Sequence, residues 1–263
     1  MLPRRTWQEM TANDIAAADT GRWIAVLPIA AVEPHGGHLP LATDAEIARG
    51  HVERVAELMP DDLPATFLPL LSVGWSEEHR AFAGMLTLSP ETLIRVLTEI
   101  GESLCHSGLK KLVIVNSHGG NSPVVDIVIQ KLRTDFKMLA VAASWSRFGL
   151  PEGLFPAAEK AFGIHGGAIE TSLMLHLRPD LVAMEKADRF PSAQETFAED
   201  FRHLRAYGPA RFGWRSDDLN PAGVVGDARL ASAEAGRAIL DHAAGGFLEL
   251  LADVDRFDAD RFA

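Results

Sequence analysis

The chain has 263 residues, a formal net charge of −11 and 47% hydrophobic residues, a composition typical of a soluble globular protein. The negative charge repels phosphate backbones and anionic lipid headgroups, which excludes nucleic acid and membrane surfaces as expected partners. The longest apolar run, residues 23–32, is too short to span a bilayer. Cys105 is the only cysteine, so no internal disulfide can form and a reducing compartment is favoured. We therefore expect a single cytoplasmic domain over residues 1–263.

Strand-like and helix-like segments alternate along the chain. Apolar β-rich runs bounded by turn residues predict strands over 23–31, 66–71, 111–115 and 138–143. Helix signals predict helices over 43–59, 90–107, 122–136, 168–177, 197–204 and 232–251. Thr43 and Asp44 are the predicted caps of the first of these helices. The alternation favours an α/β fold whose mostly parallel sheet carries helices on both faces.

A loop rich in histidine and carboxylate follows the first predicted strand. It contains Glu33 and His35, and Asp44 comes directly after it. Residues two apart in an extended segment point the same way, so Glu33 and His35 can reach one cation or two adjacent cations. The two oxygens of Asp44 can bridge such a pair. Oxygen ligands mixed with imidazole suit Zn, Mn or Fe(II).

Two further loops carry side chains of the same kind. His118 follows the third predicted strand, at the sheet edge where ligands bind in open α/β folds. Glu170 lies within an apolar helix, where a buried carboxylate needs a partner or a cation. His165 precedes that helix and is a candidate proton donor or acceptor. His38 and the 74–79 segment, with Ser76 and His79, give weaker signals for hydrogen bonds to ligands or for substrate contacts.

Each of these residues taken alone also has an ordinary structural explanation. Glu33 can be a helix-dipole partner, His35 a surface loop residue and Asp44 an N-cap. His118 can lie in a capping turn, Glu170 can face solvent and His165 can be a structural histidine. The convergence of all of them beyond buried strands favours a metal centre instead. A phosphate-binding loop is not indicated, because neither standard glycine-rich motif is present.

Three motifs together resemble the creatininase (creatinine amidohydrolase) family. They are Glu33-Pro-His-Gly-Gly-His-Leu-Pro-Leu-Ala-Thr-Asp44, Asn116-Ser-His-Gly-Gly-Asn121 and His165-Gly-Gly-Ala-Ile-Glu-Thr-Ser172, with supporting matches at 76–79 and 223–227. The resemblance implies a three-layer α/β/α sandwich in a homo-oligomer, often a hexamer. It also implies two divalent metal ions per subunit, Zn, Mn or Fe, bridged by an aspartate and a water.

The family's site residues carry over onto matching positions. The resemblance implies that Glu33 and His118 hold one metal, His35 and Glu170 hold the other, and Asp44 bridges both. His165 matches the family's proton-transfer histidine, and we expect Glu170 to take part in catalysis as well as in metal binding. Beside these, we expect Ser76 and the backbone amides of Gly119 and Gly120 to contact the substrate. We expect His38 and His79 to orient the ligands through hydrogen bonds.

Two departures from the family pattern bear on the substrate. Creatinine-hydrolysing members carry a Tyr-Glu pair where this chain has Gly119-Gly120, and a Trp-Asp pair where it has Ala161-Phe162. We therefore expect hydrolysis of a non-peptide C–N bond in a small cyclic amide or formamide other than creatinine. Three alternatives stay open: a peptidase of the mycofactocin-maturation type, a non-catalytic member that binds metal or ligand, and a metal-free hydrolase using Ser76 or Ser117.

Overall fold

A parallel sheet forms the centre of the fold. The computed structural model describes residues 2–258, so the ends of the predicted domain lie outside them. Within that range the sheet has four strands in the order β2-β1-β3-β4. They are β1 (Ile24–Ile29), β2 (Ala65–Phe67), β3 (Lys111–Asn116) and β4 (Leu139–Ser144). Ile29 pairs with Asn116, so the segments that leave β1 and β3 start at the same edge of the sheet.

Helices cover both faces of this sheet. On one face α3 (Pro90–His106) and α4 (Ser122–Phe136) share a core with alternate β1 residues, and on the other α2 (Thr43–Leu58) and α9 (Ala233–Arg256) pack on the intervening ones. The period-two alternation of a strand explains why both faces are apolar. The predicted three-layer α/β/α class is therefore confirmed.

The remaining α-helices and strands are α1 (Ala12–Ala16), α5 (Ala157–Phe162), α6 (Ala168–Leu177), α7 (Ala193–Asp200), α8 (Ser216–Leu219), and the antiparallel strands β5 (Arg189–Phe190) and β6 (Gly226–Asp227). No helix among the described residues is both long and apolar enough to cross a membrane.

The second strand is shorter than its apolar run predicts. The prediction of a strand over 66–71 is wrong beyond Phe67, where β2 ends. Pro69 has no backbone N–H to donate, so the ladder is interrupted there. Pairing with β1 resumes at one position, where the Leu71 amide donates to the Pro28 carbonyl at 3.0 Å.

The predicted caps of α2 are also wrong. Ala42 is the N-cap residue, and no side chain caps this helix end. The Thr43 hydroxyl donates instead to the Pro40 carbonyl at 2.7 Å. Asp44 lies in the first helical turn, and its carboxylate turns away from the helix end towards His35. The side chain is therefore available as a ligand at the sheet edge.

Two helices have bounds that differ from the predicted ones. The helix predicted over 197–204 runs over Ala193–Asp200, because Ser192 and Glu195 form a capping box at its start. The last helix, predicted over 232–251, extends to Arg256. In both cases the sequence indicates the helix but not its ends.

Helix α6, which carries Glu170, packs closely against α9 through a glycine. A Cβ atom at Gly236 would overlap the backbone carbonyl of Ser172, whereas one at Gly245, also in α9, would meet open space. We expect Gly236→Ala to lower the free energy of unfolding by about 1–3 kcal/mol, because overpacking forces the two helices apart. Gly245→Ala should raise it by about 0.5–1 kcal/mol through helix propensity. Urea denaturation measures both; equal effects would contradict the close packing.

Candidate metal centre

The predicted ligands from three separate segments meet at the carboxyl edge of the sheet. Glu33 and His35 follow β1, Asp44 begins α2, His118 follows β3 and Glu170 lies in the first turn of α6. Glu33 and His35 are fully buried, and Asp44 is 2% exposed. A surface loop position for His35 is therefore wrong. The Glu170 side chain is 21% exposed, so it faces the mouth of the site rather than bulk solvent.

The ligand atoms form two groups on either side of Asp44. Glu33 Oε1 lies 3.1 Å from His118 Nδ1, and His35 Nε2 lies 3.6 Å from Glu170 Oε2. Asp44 faces both groups, because its Oδ2 is 3.5 Å from His118 Nδ1 and its Oδ1 is 3.6 Å from His35 Nε2. Glu33 Oε1 also lies 3.9 Å from His35 Nε2, so the two groups adjoin each other.

Several of these atoms are buried without a hydrogen bond. Glu33 Oε1, His35 Nε2 and Asp44 Oδ2 make no well-aligned hydrogen bond with any described residue. A buried polar atom without a partner carries a large desolvation cost, so such atoms are rare unless a ligand satisfies them. One ligand atom from each of the three residues lies within 4.8 Å of the others. The residues present therefore fit a divalent cation of the Zn or Mn type.

The electrostatics of the cluster also favour positive charge. Burial and the nearby Glu33 carboxylate raise the pKa of Asp44 to about 7. Burial alone would lower the pKa of His35, but Asp44, Glu170 and Glu33 together raise it to about 9. The negative charge of the buried carboxylates thus favours protonation of Asp44 and His35. A divalent cation would satisfy the same negative charge more fully.

His165 lies next to this cluster with one ring nitrogen free. Its Nε2 donates to the Pro34 carbonyl at 2.9 Å, which leaves the Nδ1 lone pair 3.6 Å from Glu33 Oε1. The His165 ring lies 4.0 Å from the His35 ring and 4.3 Å from the His79 ring, centroid to centroid. Burial and the positive charge of His35 lower the pKa of His165, which favours its neutral form. A neutral imidazole in this position can accept a proton.

A small cavity borders His79 and His165. It has a volume of about 10 Å³, and its walls are formed by His79, His165, Ile164, Trp214 and Leu219 among others. A space of this size accommodates about one water molecule. Ile164 was not predicted as a site residue. Trp214 ends the stretch 190–214, in which we expected pocket specificity although it contains no motif, and its contact in the fold identifies the residue.

Two of the five residues predicted to orient ligands or contact substrate lie against the Glu33 carboxylate. The Ser76 hydroxyl, fully buried, donates to Glu33 Oε2 at 2.6 Å, and His79 Nε2 lies 3.5 Å from Glu33 Oε1. His38 Nε2 donates to the Gly166 carbonyl at 2.9 Å, beside His165 rather than on a ligand. Gly119 and Gly120 form a 3₁₀ turn directly after His118. The roles of these five residues remain predictions.

Fold and site together define an α/β metal-dependent hydrolase. A family model described as "Creatininase: Creatinine amidohydrolase" matches residues 8–251. The chain therefore belongs to the creatininase family.

Two curated proteins illustrate the range of similar sequences. The chain is 34% identical over 223 residues to the mycofactocin precursor peptide peptidase of Mycobacterium ulcerans (strain Agy99), covering 82% of this chain and 80% of that protein. It is 31% identical over 258 residues to the creatinine amidohydrolase of Pseudomonas putida, covering 90% of each chain.

Solved structures share the fold, and two of those below are named as manganese or zinc forms. A crystal structure of creatinine amidohydrolase superposes with a TM-score of 0.76 at 27% identity, covering 97% of this chain and 100% of that chain. A manganese form, "Creatininase Mn", has a TM-score of 0.75 at 26% identity and covers 96% of this chain and 99% of that one. A mutant creatininase of "Zn-Zn type" has a TM-score of 0.75 at 25% identity, with 96% and 98% coverage.

Proposed function

We propose that the protein hydrolyses a non-peptide C–N bond of a small amide, cyclic or of the formamide type, at a pair of divalent cations. The native ions would be Zn, Mn or Fe. The observation that carries this proposal is the set of buried, unpaired ligand atoms divided into two groups around Asp44. Paired divalent cations supply Lewis-acid polarisation of a carbonyl and a nucleophilic water at neutral pH.

Five residues would hold the two cations. Glu33 and His118 lie together on one side of Asp44, and His35 and Glu170 lie together on the other. Asp44 would contact both cations, since its two oxygens face the two groups. Ser76 fixes the second oxygen of Glu33 through its hydroxyl, so the first oxygen points into the cluster.

His165 would move the proton that amide hydrolysis requires. The Pro34 carbonyl fixes its tautomer by accepting from Nε2, which leaves Nδ1 free to accept a proton from the attacking water. The same nitrogen can then donate that proton to the leaving amine nitrogen. Proton transfer by a positioned side chain contributes about 10²–10⁴-fold to a rate. The amides of Gly119 and Gly120 would bind the oxygen that becomes negative during attack.

One wall of the site and two departures from the family pattern bear on the substrate. Trp214 and Ile164 give an apolar side to the water-sized cavity beside His79 and His165. Creatinine itself is not the expected substrate, because Gly119-Gly120 and Ala161-Phe162 replace the residues expected for it.

A hydrolysis screen with and without metal tests this function. Protein reloaded with Zn²⁺ or Mn²⁺ should hydrolyse members of a panel of formamides and lactams, and a chelator should remove the activity reversibly. Cleavage of short peptides alone would show that the substrate class is wrong. Chelator-resistant turnover that Ser76→Ala or Ser117→Ala abolishes would favour a metal-free hydrolase. Bound metal without any turnover would favour a binding protein.

Three expectations from the sequence remain predictions beside this function. They are a homo-oligomer, up to a hexamer, a cytoplasmic location and a single domain over 1–263. Size-exclusion chromatography with light scattering measures the first of these directly.

A further inference from the structure

The two ring nitrogens of His118 face different surroundings. Nδ1 points into the cluster, 3.1 Å from Glu33 Oε1 and 3.5 Å from Asp44 Oδ2. Nε2 points the other way, 3.0 Å from the Trp75 carbonyl and 3.3 Å from Glu78 Oε1. An imidazole that binds a cation through Nδ1 must carry its proton on Nε2. That proton is donated towards the Trp75 carbonyl and the Glu78 carboxylate.

The missing side chain at Gly120 makes this approach possible. A Cβ atom at Gly120 would lie 2.5 Å from Glu78 Oε1 and would overlap His118 Nε2. The neighbouring Gly119 has open space at the same position, so only one of the two glycines is required by packing. The Ser216 hydroxyl donates to the Glu78 carbonyl at 3.1 Å and anchors the backbone that presents the carboxylate. Glu78 is thus held where a side chain from residue 120 would otherwise lie.

We propose that Glu78 is a positioning residue of the metal centre, which holds His118 and strengthens it as a ligand. This inference rests on the proposed function, because it requires a cation at Nδ1. The two nitrogens lie on opposite sides of the ring, so Glu78 acts through the imidazole and does not touch the cation there. Its negative charge, 3.3 Å from Nε2, makes the imidazole more basic, and the hydrogen bond from Nε2 to the Trp75 carbonyl fixes the orientation of the ring. Removing such a partner typically weakens metal binding about 10–100-fold.

The adjacent Glu77 offers a matched control. It lies in the same 3₁₀ turn, Glu77–His79, and pairs with Arg80 at 2.6 Å on the surface. Glu77→Gln and Glu78→Gln remove the same charge from neighbouring positions and keep the side-chain size. A general effect of net charge on cation binding would appear in both variants. An effect through His118 would appear only in the second.

Competition between the metal-free protein and a chromogenic chelator for Zn²⁺ tests the inference. We expect Glu78→Gln to bind Zn²⁺ about 10-fold or more weakly than wild type, and Glu77→Gln to match wild type. Gly120→Ala should weaken binding as well, because its methyl group would displace both the His118 ring and the Glu78 carboxylate, whereas Gly119→Ala should not. Thermal unfolding of the metal-free proteins should be the same for the two glutamine variants, which separates metal binding from folding.

The failures of the two proposals are distinguishable. Wild-type affinity in Glu78→Gln would overturn the role of Glu78 and leave the metal centre intact, whatever the affinity of Gly120→Ala. An equal loss in Glu77→Gln and Glu78→Gln would also overturn it. If wild-type protein itself fails to bind Zn²⁺ or Mn²⁺, the proposed function fails first.

Discussion

Asp44→Asn is expected to abolish hydrolysis and to lower the bound metal content in the same preparation. The Asp44 carboxylate presents one oxygen to each group of ligands, Oδ2 to His118 and Oδ1 to His35. An amide has the same shape but no charge and one oxygen, so it cannot bridge two cations. We expect activity below about one ten-thousandth of wild type, since little of the metal-assisted reaction would remain. Elemental analysis and the amide assay measure the two losses.

The metal-free form of this variant provides a second readout. Asp44 is buried, and without a cation too little positive charge lies near its carboxylate to offset the cost of burying the charged form. Removing that charge should leave the melting temperature of the metal-free protein equal to or above that of wild type. Glu46→Gln is the matched control, because Glu46 lies in the same turn but pairs with Arg49 and Arg178. Full turnover with normal metal content in Asp44→Asn would show that the bridging role is wrong.

His165→Gln should lower kcat by about 10²–10⁴-fold while the protein keeps its metal. Glutamine can still donate to the Pro34 carbonyl, as Nε2 of His165 does, so the local backbone should hold its position. It offers no group that accepts and returns a proton at neutral pH. KM should change little, since the loss concerns the reacting state rather than substrate binding. Steady-state kinetics with elemental analysis separate the two effects.

His176→Gln serves as the comparison for this variant. His176 is exposed on α6, away from the cluster, so its replacement should leave kcat unchanged. His165 Nδ1 also lies close enough to His35 and Glu170 to hold a cation with them. Loss of metal from His165→Gln would therefore assign His165 as a ligand and contradict its role in proton transfer.

The main features of the site were predictable because they depend on local pattern and on one topological rule. Buried strands end just before Glu33 and before His118, and the loops that leave neighbouring parallel strands meet at a common edge of the sheet. The apolar surroundings of Glu170 indicated a carboxylate with a special reason to be there. None of these inferences requires knowledge of how the helices pack.

Other features depend on competition between local and tertiary preferences. Asp44 resembles an N-cap in the sequence, yet the cluster uses its carboxylate and the helix end goes without a side-chain cap. Pro69 interrupts the hydrogen bonds of an apolar run that is otherwise typical of a strand. In both cases the relevant residue is visible in the sequence, but the pattern alone does not show which local structure it adopts.

Long-range contacts were beyond the sequence patterns. Glu78 meets His118 only because the fold brings the segment after β2 against the segment after β3, and Trp214 reaches His165 from a region without a motif. Gly120 was informative, because the lack of a side chain next to the predicted ligand His118 leaves room for another group there. Identifying that group required the structure.

Anomalous diffraction from crystals grown with Mn²⁺ tests the central claim most directly. We expect two peaks on either side of the Asp44 carboxylate, one contacted by Glu33 and His118 and the other by His35 and Glu170. A map with no peak among these five residues, or with manganese bound only elsewhere on the protein, would contradict the metal centre.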